Sequence, residues 1–369
     1  MDLSVNQIII DIMVVCMALG AIDKCLGNKF GLGEQFEEGF MAMGSLALAM
    51  VGVICLAPVL SNVLRPIITP LFNFLGADPA MFAGSILACD MGGAPLAASL
   101  AQDPQIGVFS GLIVGAMMGA TIVFTIPVSL GIIQKSDEKF LATGILAGIV
   151  TIPVGAFVGG IIAGIPVVIV FKNLIPIIIF AILIALGLWK FEKAIIKGFT
   201  WFGKFIVIII TLALAAAIIE ALTGLVIIPG MNPIGEGLTT VGDIAIVLAG
   251  AFPLVYIITK VFKKPLMGLG KLLGMNEIAA AGMIASLANN IPMFGMMKDM
   301  DDRGKVINVA FAVSASFVFG DHLGFTAGFN SDMIFPMIIA KLVGGITAVI
   351  LALVIVNKTM GKPKKMEEK

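Results

Sequence analysis

Asp90 is the residue of this chain whose surroundings point most clearly to chemistry. It stands in the run Ala88-Cys-Asp-Met-Gly-Gly93, directly after the apolar residues 86–88. Burying a carboxylate is costly unless a cation or hydrogen-bond donors accompany it. We therefore predict a counter-ion for a cationic substrate or coupling ion, with Gly92 and Gly93 as secondary candidates for the same site. The alternative interpretation is a capping aspartate at the start of a following helix.

Two consecutive amides, Asn289 and Asn290, form a second polar point within an apolar stretch. Amide groups both donate and accept hydrogen bonds, which suits a ligand that carries a hydroxyl or an amine. Asparagine also favours turns, because its side chain bonds to nearby backbone groups. Substrate binding and a self-satisfied turn therefore remain two open interpretations of this pair.

Asp321 and His322 form a third polar point, which we predict at the end of an apolar helix. His322 is the only histidine, and imidazole is the side chain whose charge changes most readily near neutral pH. The pair can bind substrate, or it can serve as an ordinary polar helix end. Asn330 and Asp332 follow closely, and Lys341 lies within the next apolar stretch. Lys341 can pair with an acidic group or extend its ammonium toward a membrane surface.

Glu37 and Glu38 stand at the start of another apolar stretch. Acidic residues near a helix N-terminus complement the helix dipole, a role that we favour here over substrate contact. The motifs of zinc proteases, P-loop proteins and serine hydrolases are missing from the sequence. With one histidine and no cluster of cysteine and histidine, the sequence predicts neither catalysis nor a metal or cofactor.

The composition places all these residues in a membrane protein. Of 369 residues, 59% are hydrophobic and 12% are charged, whereas soluble domains are about 25% charged. The mean hydropathy is +1.11. Equal numbers of basic and acidic residues, 23 of each, argue against a nucleic-acid partner. We predict an all-α polytopic membrane protein in a lipid bilayer, with about nine full transmembrane helices and two re-entrant or broken-helix hairpins.

The predicted spans are apolar stretches close to the length that a bilayer requires. They cover residues 5–21, 40–60, 106–133, 140–164, 167–189, 199–222, 241–262, 306–320 and 333–356. Two further apolar stretches, 66–102 and 265–303, are interrupted by Pro, Gly, Asn and Asp. Each is long enough for two half-helices, and two short crossings are the alternative.

The two interrupted stretches resemble each other. The matching pairs are Leu75/Leu273, Gly76/Gly274, Gly84/Gly282, Ile86/Ile284 and, after a slip of one residue, Pro95/Pro292. An odd number of predicted spans separates the two units, so the repeats would be inverted. We predict one membrane domain with a first repeat over 1–164, a connecting span and loop over 165–198, a second repeat over 199–357 and a tail over 358–369. Paired interruptions of this kind point to a transport site.

The lysines and arginines predict an orientation. If each interrupted stretch returns to the side that it entered from, nearly all of the 23 basic residues fall on one side. The positive-inside rule then puts the N-terminus outside and the C-terminus in the cytoplasm. A single crossing by either interrupted stretch would remove this bias.

Several long strings closely resemble the EutH family, the ethanolamine-utilization transporters of bacteria. They are Gln35-Phe-Glu-Glu-Gly-Phe-Met-Ala-Met-Gly44, Ala88-Cys-Asp-Met-Gly-Gly93, Leu287-Ala-Asn-Asn-Ile-Pro-Met-Phe-Gly-Met-Met297 and Gly320-Asp-His-Leu-Gly-Phe325. The resemblance runs essentially from end to end. It implies uptake of ethanolamine across the bacterial cytoplasmic (inner) membrane.

The residues fit such a substrate, a small primary ammonium with one hydroxyl. Asp90 would pair with the ammonium, and Asn289 and Asn290 would serve the hydroxyl. We expect facilitated uptake driven by the membrane potential. Coupling to protons or sodium, with Asp90 or the Asp321–His322 pair as coupling site, is the main alternative, and an ammonium or amine channel is another. Glycine-lined helix faces leave room for a homo-oligomer.

Overall fold

The computed structural model describes residues 4–361, and the regular secondary structure within them is entirely helical. Its α-helices are α1 (Val5–Cys25), α2 (Leu32–Phe74), α3 (Ala80–Ile86), α4 (Gly93–Leu100), α5 (Pro104–Phe109), α6 (Ile126–Ile132), α7 (Glu138–Ile149), α8 (Ile152–Ile162), α9 (Val167–Thr223), α10 (Ile234–Leu272), α11 (Glu277–Ala288), α12 (Asn290–Met296), α13 (Asp302–Ala315), α14 (Asp321–Phe329) and α15 (Ile334–Thr359). Between α5 and α6 the chain continues as two π-helical segments, Ser110–Gly119 and Thr121–Thr125.

The chain is a polytopic membrane protein. Seven helical stretches of the described residues are long and apolar enough to cross a bilayer. One of them, α9, has 57 residues and contains a kink at Phe191, where φ is −135° and ψ is 41°. At about 1.5 Å per residue it is more than twice as long as a bilayer core of about 30 Å is thick. The predicted stretches 167–189 and 199–222 fall on the two sides of this kink.

Several predicted boundaries were wrong. The interrupted stretches were expected to begin at Pro66 and Pro265, yet α2 continues through Pro66 and Pro70 to Phe74, and α10 continues through Pro265 to Leu272. The predicted span 306–320 ends early, because α13 stops at Ala315 and residues 316–320 leave the helix. A proline removes only one backbone donor from a helix, and neighbouring groups in a membrane protein can compensate for it.

Each interrupted stretch folds back on itself. Hairpin 1 comprises α3, the turn 87–92 and α4. Asp78, at the start of this hairpin, accepts hydrogen bonds from the backbone N–H groups of Gln102 at 3.0 Å and Asp103 at 2.8 Å, at its end. In hairpin 2, which comprises α11, Asn289 and α12, the backbone N–H of Asn276 donates to Asp301 Oδ1 at 2.7 Å. The two ends of each hairpin therefore meet, and the tip of each lies inside the protein.

The same local structure recurs at corresponding positions of the two units. Gly76 and Gly274 both adopt a left-handed conformation, with φ of 71° and 72°. Asp103, just after hairpin 1, caps α5 through the backbone of Gln105, and Asp301, just after hairpin 2, caps α13 through the backbone of Gly304. Aspartate oxygens at these positions satisfy donors that a helix start leaves free.

The long helices α2 and α10 lie side by side and run in opposite directions. The Tyr256 hydroxyl of α10 donates to the Phe30 carbonyl, just before α2 begins, at 3.2 Å. Farther along α2, the Cys55 carbonyl accepts from the backbone N–H of Asn232, just before α10 begins, at 2.9 Å. The start of α2 therefore lies beside the later part of α10, and a later part of α2 lies beside the start of α10. Gly39 rests on the α10 backbone at Ala249, which brings the two helices close.

A third break in the helices, residues 316–320, separates α13 from α14 and is hydrogen-bonded to hairpin 2. The backbone N–H groups of Phe317 and Phe319 donate to the carbonyls of Ser286 and Leu287, each at 3.0 Å. These bonds satisfy backbone groups that lipid could not. Phe317 has φ of 63°, a left-handed conformation that bulky residues rarely adopt and that marks strained, functional segments. The break points α14 toward the tip of hairpin 1.

Candidate functional site

Asp90 lies at the tip of hairpin 1, in a single 3₁₀ turn, Cys89–Met91, between α3 and α4. Its carboxylate is 19% exposed. The first residue of α4 follows Gly92, which has φ of 91° and offers no side-chain cap, so the capping interpretation of Asp90 was wrong. Gly93 closes the turn by donating its N–H to the Ala88 carbonyl at 2.8 Å. The two glycines thus shape the loop that presents the carboxylate.

Asp321 and His322 form the first turn of α14, directly after the third break. The sequence placed them at the end of a helix, and the structure corrects this because the preceding helix stops at Ala315. His322 is buried, and its Nε2 lies 3.9 Å from Asp90 Oδ1. The positive end of the α14 dipole faces the same region, which favours carboxylates there.

Lys341, on α15, completes this cluster at the Nδ1 side of the imidazole. Its Nζ lies 3.1 Å from His322 Nδ1 and donates to the Ala116 carbonyl at 2.5 Å. The side chain is 1% exposed, so the ammonium does not extend toward a membrane surface. The Ala116 carbonyl belongs to the π-helical segment Ser110–Gly119.

The contact with Lys341 assigns the hydrogen positions of His322. A protonated lysine only donates, so with Lys341 as an ammonium we assign His322 Nδ1 as the acceptor and place the ring proton on Nε2. That N–H points toward Asp90. A neutral imidazole in this tautomer offers the site a hydrogen-bond donor.

The two aspartates share a cavity of about 700 Å³. It is walled by α2, the hairpin 1 tip, the second π-helical segment, the start of α6, the second half of α9 and the start of α14. The lining residues are Ser45, Leu46, Ala49, Asp90, Met91, Val123, Phe124, Pro127, Val128, Thr200, Gly203, Lys204, Val207, Ile208 and Asp321. The cavity is mostly apolar, with the carboxylates of Asp90 and Asp321 among its few charged groups. Such a combination binds a small ligand and fixes its orientation through the polar groups.

Sequence reasoning missed two aromatic rings next to the cluster. Phe317 packs against His322 with ring centres 5.0 Å apart, and Phe124 packs against Phe317 at 5.6 Å. Phe124 also lines the cavity. Aromatic faces attract cations, so the rings extend the part of the wall that favours an ammonium. No local pattern marks these two phenylalanines among the 25 in the sequence.

Asn289 and Asn290 lie at the hairpin 2 tip and do not line the cavity of the aspartates. Asn289 caps α12 by accepting from the Ile291 N–H at 2.9 Å, as the turn interpretation expected. Asn290 is buried, and its Nδ2 donates to Thr125 Oγ1 at 3.1 Å, while its Oδ1 has no partner. Asn289 lines a smaller cavity of about 150 Å³ that also contacts Glu38 and Gly320.

The smaller cavity and the larger one adjoin through consecutive residues. Gly320 lines the smaller, and Asp321 lines the larger. Glu38 is therefore near the site, although it lies on the other side of the third break from Asp321. Its carboxylate accepts a hydrogen bond from Gln35 Nε2 at 3.4 Å. Its neighbour Glu37 forms an ion pair with Lys24. Because α2 begins at Leu32, both glutamates lie beyond its first turn, and the predicted role at a helix N-terminus was wrong.

Asn330 and Asp332 belong to the turn that joins α14 to α15. Asn330 Oδ1 accepts from the Asp332 N–H at 3.1 Å, and the Asp332 carbonyl accepts from Asn6 Nδ2 at 2.8 Å. These contacts fasten the start of α1 to the start of α15. Neither residue lines the two cavities described above.

Cys89, Asp90 and His322 bring potential metal-ligand atoms within 4.8 Å of one another. The sequence, which shows no close spacing of these residues, predicted no metal here. The tautomer imposed by Lys341 puts a proton on the nitrogen that faces this group, and a protonated nitrogen has no lone pair for a metal. The donor set therefore fits a cation that donates hydrogen bonds better than a metal ion.

Comparison with known proteins identifies the family. The sequence profile described as "Ethanolamine utilisation protein, EutH" matches residues 5–355. The chain belongs to the EutH family. A relative from Listeria monocytogenes serotype 1/2a (strain 10403S), named "Probable ethanolamine permease EutH", is 64% identical over 99% of this chain and 98% of its own length.

Two more distant relatives cover the chain almost as fully. A protein of the same name from Escherichia coli (strain K12) is 52% identical over 99% of both chains. The "Uncharacterized protein YxeR" of Bacillus subtilis (strain 168) is 51% identical over 94% of both chains. No solved structure gives a significant match. The predicted resemblance to the EutH family is thus confirmed.

Proposed function

We propose that this protein carries ethanolammonium into the cell across the cytoplasmic membrane, as a facilitated and potential-driven transporter without catalytic activity. Membership of the EutH family and the names of its relatives as ethanolamine permeases support the substrate. The observation that carries the proposal is the pair of carboxylates, Asp90 and Asp321, in one cavity within a membrane protein.

The site chemistry matches the substrate group by group. The primary ammonium carries three N–H donors, which the carboxylates of Asp90 and Asp321 can accept. The hydroxyl can accept from the Nε2–H of His322, which the contact with Lys341 keeps in place. Phe124 covers an apolar part of the wall where the two methylene groups can lie. A ligand without the ammonium would leave a carboxylate of this mostly apolar cavity without a cation, which is unfavourable.

The membrane potential is sufficient to drive accumulation. A monovalent cation gains about 2.3 kcal/mol for each 100 mV. This free energy supports a concentration ratio on the order of fifty-fold. Ethanolammonium carries that charge itself, so accumulation at this level requires no coupling ion.

Alternating access fits the arrangement of the two hairpins. Each hairpin leaves and returns at one end of the protein, and α2 and α10, which precede them, run in opposite directions. Hairpin 1 would then be re-entrant from one side of the membrane and hairpin 2 from the other, within two inverted repeats over 1–164 and 199–357. Interrupted helices of two inverted repeats that meet near the middle of the bilayer are a recurring design of transporters.

The distribution of basic residues supports an orientation with the N-terminus outside and the C-terminus in the cytoplasm. Hairpin 1 would then enter from outside, and hairpin 2 from the cytoplasm. The cluster around Glu37 and Lys24 would lie near the cytoplasmic surface.

Counterflow into proteoliposomes tests the proposed function. Vesicles loaded with ethanolamine should take up labelled ethanolamine transiently above its equilibrium level, and excess choline, ammonium or amino acids should compete more weakly than ethanolamine. A channel would show no such overshoot and no saturation. A protein that binds ethanolamine but produces no flux would contradict the transport proposal.

The dependence on potential is a separate measurement. With an imposed negative-inside potential, accumulation should rise about tenfold for each 59 mV, as one transported charge requires. Uptake that ignored the imposed potential would exclude ethanolammonium uniport.

A further inference from the structure

Lys341 is held in the protein interior without a direct ion pair. Its side chain is 1% exposed, and its two partners are the Ala116 carbonyl and the imidazole of His322. The other buried lysine of the described residues, Lys305, instead pairs directly with Asp137 at 2.8 Å. An ammonium that is buried next to neutral groups requires a negative charge nearby to remain stable.

The negative charge that Lys341 requires lies on the other side of His322. Asp90 Oδ1 is 3.9 Å from His322 Nε2, so the imidazole links the ammonium on one face to the carboxylate on the other. Asp321 precedes His322 in α14 and lines the same cavity as Asp90. One buried lysine therefore lies behind a cavity that two carboxylates line.

Other charged or titratable groups lie around this cluster but do not contribute to the balance of charge inside the protein. Lys204 of α9 lines the mouth of the cavity but is exposed to solvent. Glu38 of α2 is exposed and lines the smaller cavity. The thiol of Cys89 is buried beside Asp90 and is neutral in its protonated form. Water screens the exposed charges, so the interior balance depends on Lys341, Asp90 and Asp321.

The charge count then matches the proposed substrate. Two carboxylates and one ammonium leave a single negative charge, and one ethanolammonium neutralises it. Without Lys341 the same cavity would hold two negative charges, and a monovalent substrate alone would leave one of them unpaired in a mostly apolar cavity.

We propose that Lys341 is a built-in counter-cation that occupies the place of a coupling ion. It neutralises one of the two carboxylates, so that the carrier moves one ethanolammonium per cycle with no accompanying proton or sodium ion. The proposal rests on the proposed function. Replacing Lys341 by a neutral residue should convert a uniporter into an ion-coupled transporter.

The test measures the stoichiometry of transport in proteoliposomes. Lys341→Gln removes the charge and keeps a polar group for Ala116 and His322. Wild-type accumulation of labelled ethanolamine should follow the imposed potential alone. The variant should additionally respond to a proton or sodium gradient, with about tenfold more accumulation for each tenfold gradient if one ion accompanies each substrate.

A second variant tests the charge count itself. Lys341→Gln combined with Asp321→Asn again leaves one negative charge, so its accumulation should no longer depend on either ion gradient. Asp321→Asn alone leaves no net charge, and its affinity for ethanolammonium should fall by about tenfold or more. Ligand titration of the detergent-solubilised protein gives this last result even if a Lys341 variant fails to fold.

The controls separate this inference from the proposed function. Failure of wild-type protein to transport ethanolamine would refute the function, whereas the variants bear only on Lys341. Lys305→Gln, at the buried lysine outside the site, should keep wild-type stoichiometry. If Lys341→Gln accumulated ethanolamine without any ion dependence, or if the double variant remained ion-coupled, Lys341 would be only a structural residue. Undiminished affinity in the single Asp321→Asn variant would likewise overturn the charge count.

Discussion

Replacing Asp90 by asparagine removes the charge at the hairpin 1 tip and preserves the shape of the side chain. An ammonium at about 4 Å from a carboxylate gains about 4 kcal/mol at an effective dielectric constant of about 20. That dielectric constant is appropriate because the Asp90 side chain is 19% exposed to the cavity. Lys341 lies behind His322 and opposes part of this attraction. If it cancels half, about 2 kcal/mol remains, and the affinity for ethanolammonium should fall about thirtyfold.

Calorimetric titration of the purified protein with ethanolamine measures this loss directly. The matched control is Asp137→Asn, which removes a buried carboxylate that pairs with Lys305 away from the cavity. The control should lower thermal stability and leave the dissociation constant unchanged. If the Asp90 variant folded normally and bound ethanolamine as tightly as wild type, Asp90 would not be the counter-ion of the substrate.

Three further predictions concern the scaffold around the site. Asn289→Ala removes the cap of α12 and should destabilise the protein by about 1 kcal/mol, visible as a lower unfolding temperature with little change in substrate affinity; an equal unfolding temperature would argue against the cap. In a cysteine-free background, Gln102→Cys and Asp299→Cys should each react with a membrane-impermeant reagent, one from each side of the membrane. Labelling of both positions from the same side would refute the inverted arrangement. Gly119→Ala places a methyl group against the backbone of hairpin 1 and should lower stability by about 1–3 kcal/mol, whereas Gly131→Ala, with open space around it, should not; equal stability of the two variants would contradict this packing.

The overall class of the protein could be predicted because it depends on composition and local pattern. A long apolar run forms a helix in a bilayer whatever its neighbours are, since lipid leaves no other way to pair the backbone. The prediction of an all-helical polytopic membrane protein was confirmed on these grounds. Asp90 also stood out for a local reason, as a lone carboxylate between apolar residues and glycines.

The partners of Asp90 could not be predicted, because they depend on how distant helices pack. His322 and Lys341 come from two other helices far along the chain. The third break before Asp321 carries no proline, and its turns are held by the carbonyls of Ser286 and Leu287 in hairpin 2. Apolar periodicity continues through that break, so the sequence pattern alone favoured an uninterrupted helix. The site is therefore set by tertiary contacts, while its individual charges were visible locally.

The depth of Lys341 also has a consequence for how the chain is made. A lysine at the centre of a membrane helix opposes insertion by about 2.5–3.5 kcal/mol on translocon scales, and Lys341, the eighth residue of α15, carries part of that penalty. The helix that carries it, α15, has a strongly apolar window with a mean hydropathy of 2.6, which offsets this penalty. Both hydrogen-bond partners of the ammonium, Ala116 and His322, precede it in the chain. Because α15 is synthesised after both partners, they can enter the membrane first, and the lysine can leave the lipid as soon as α15 docks against them.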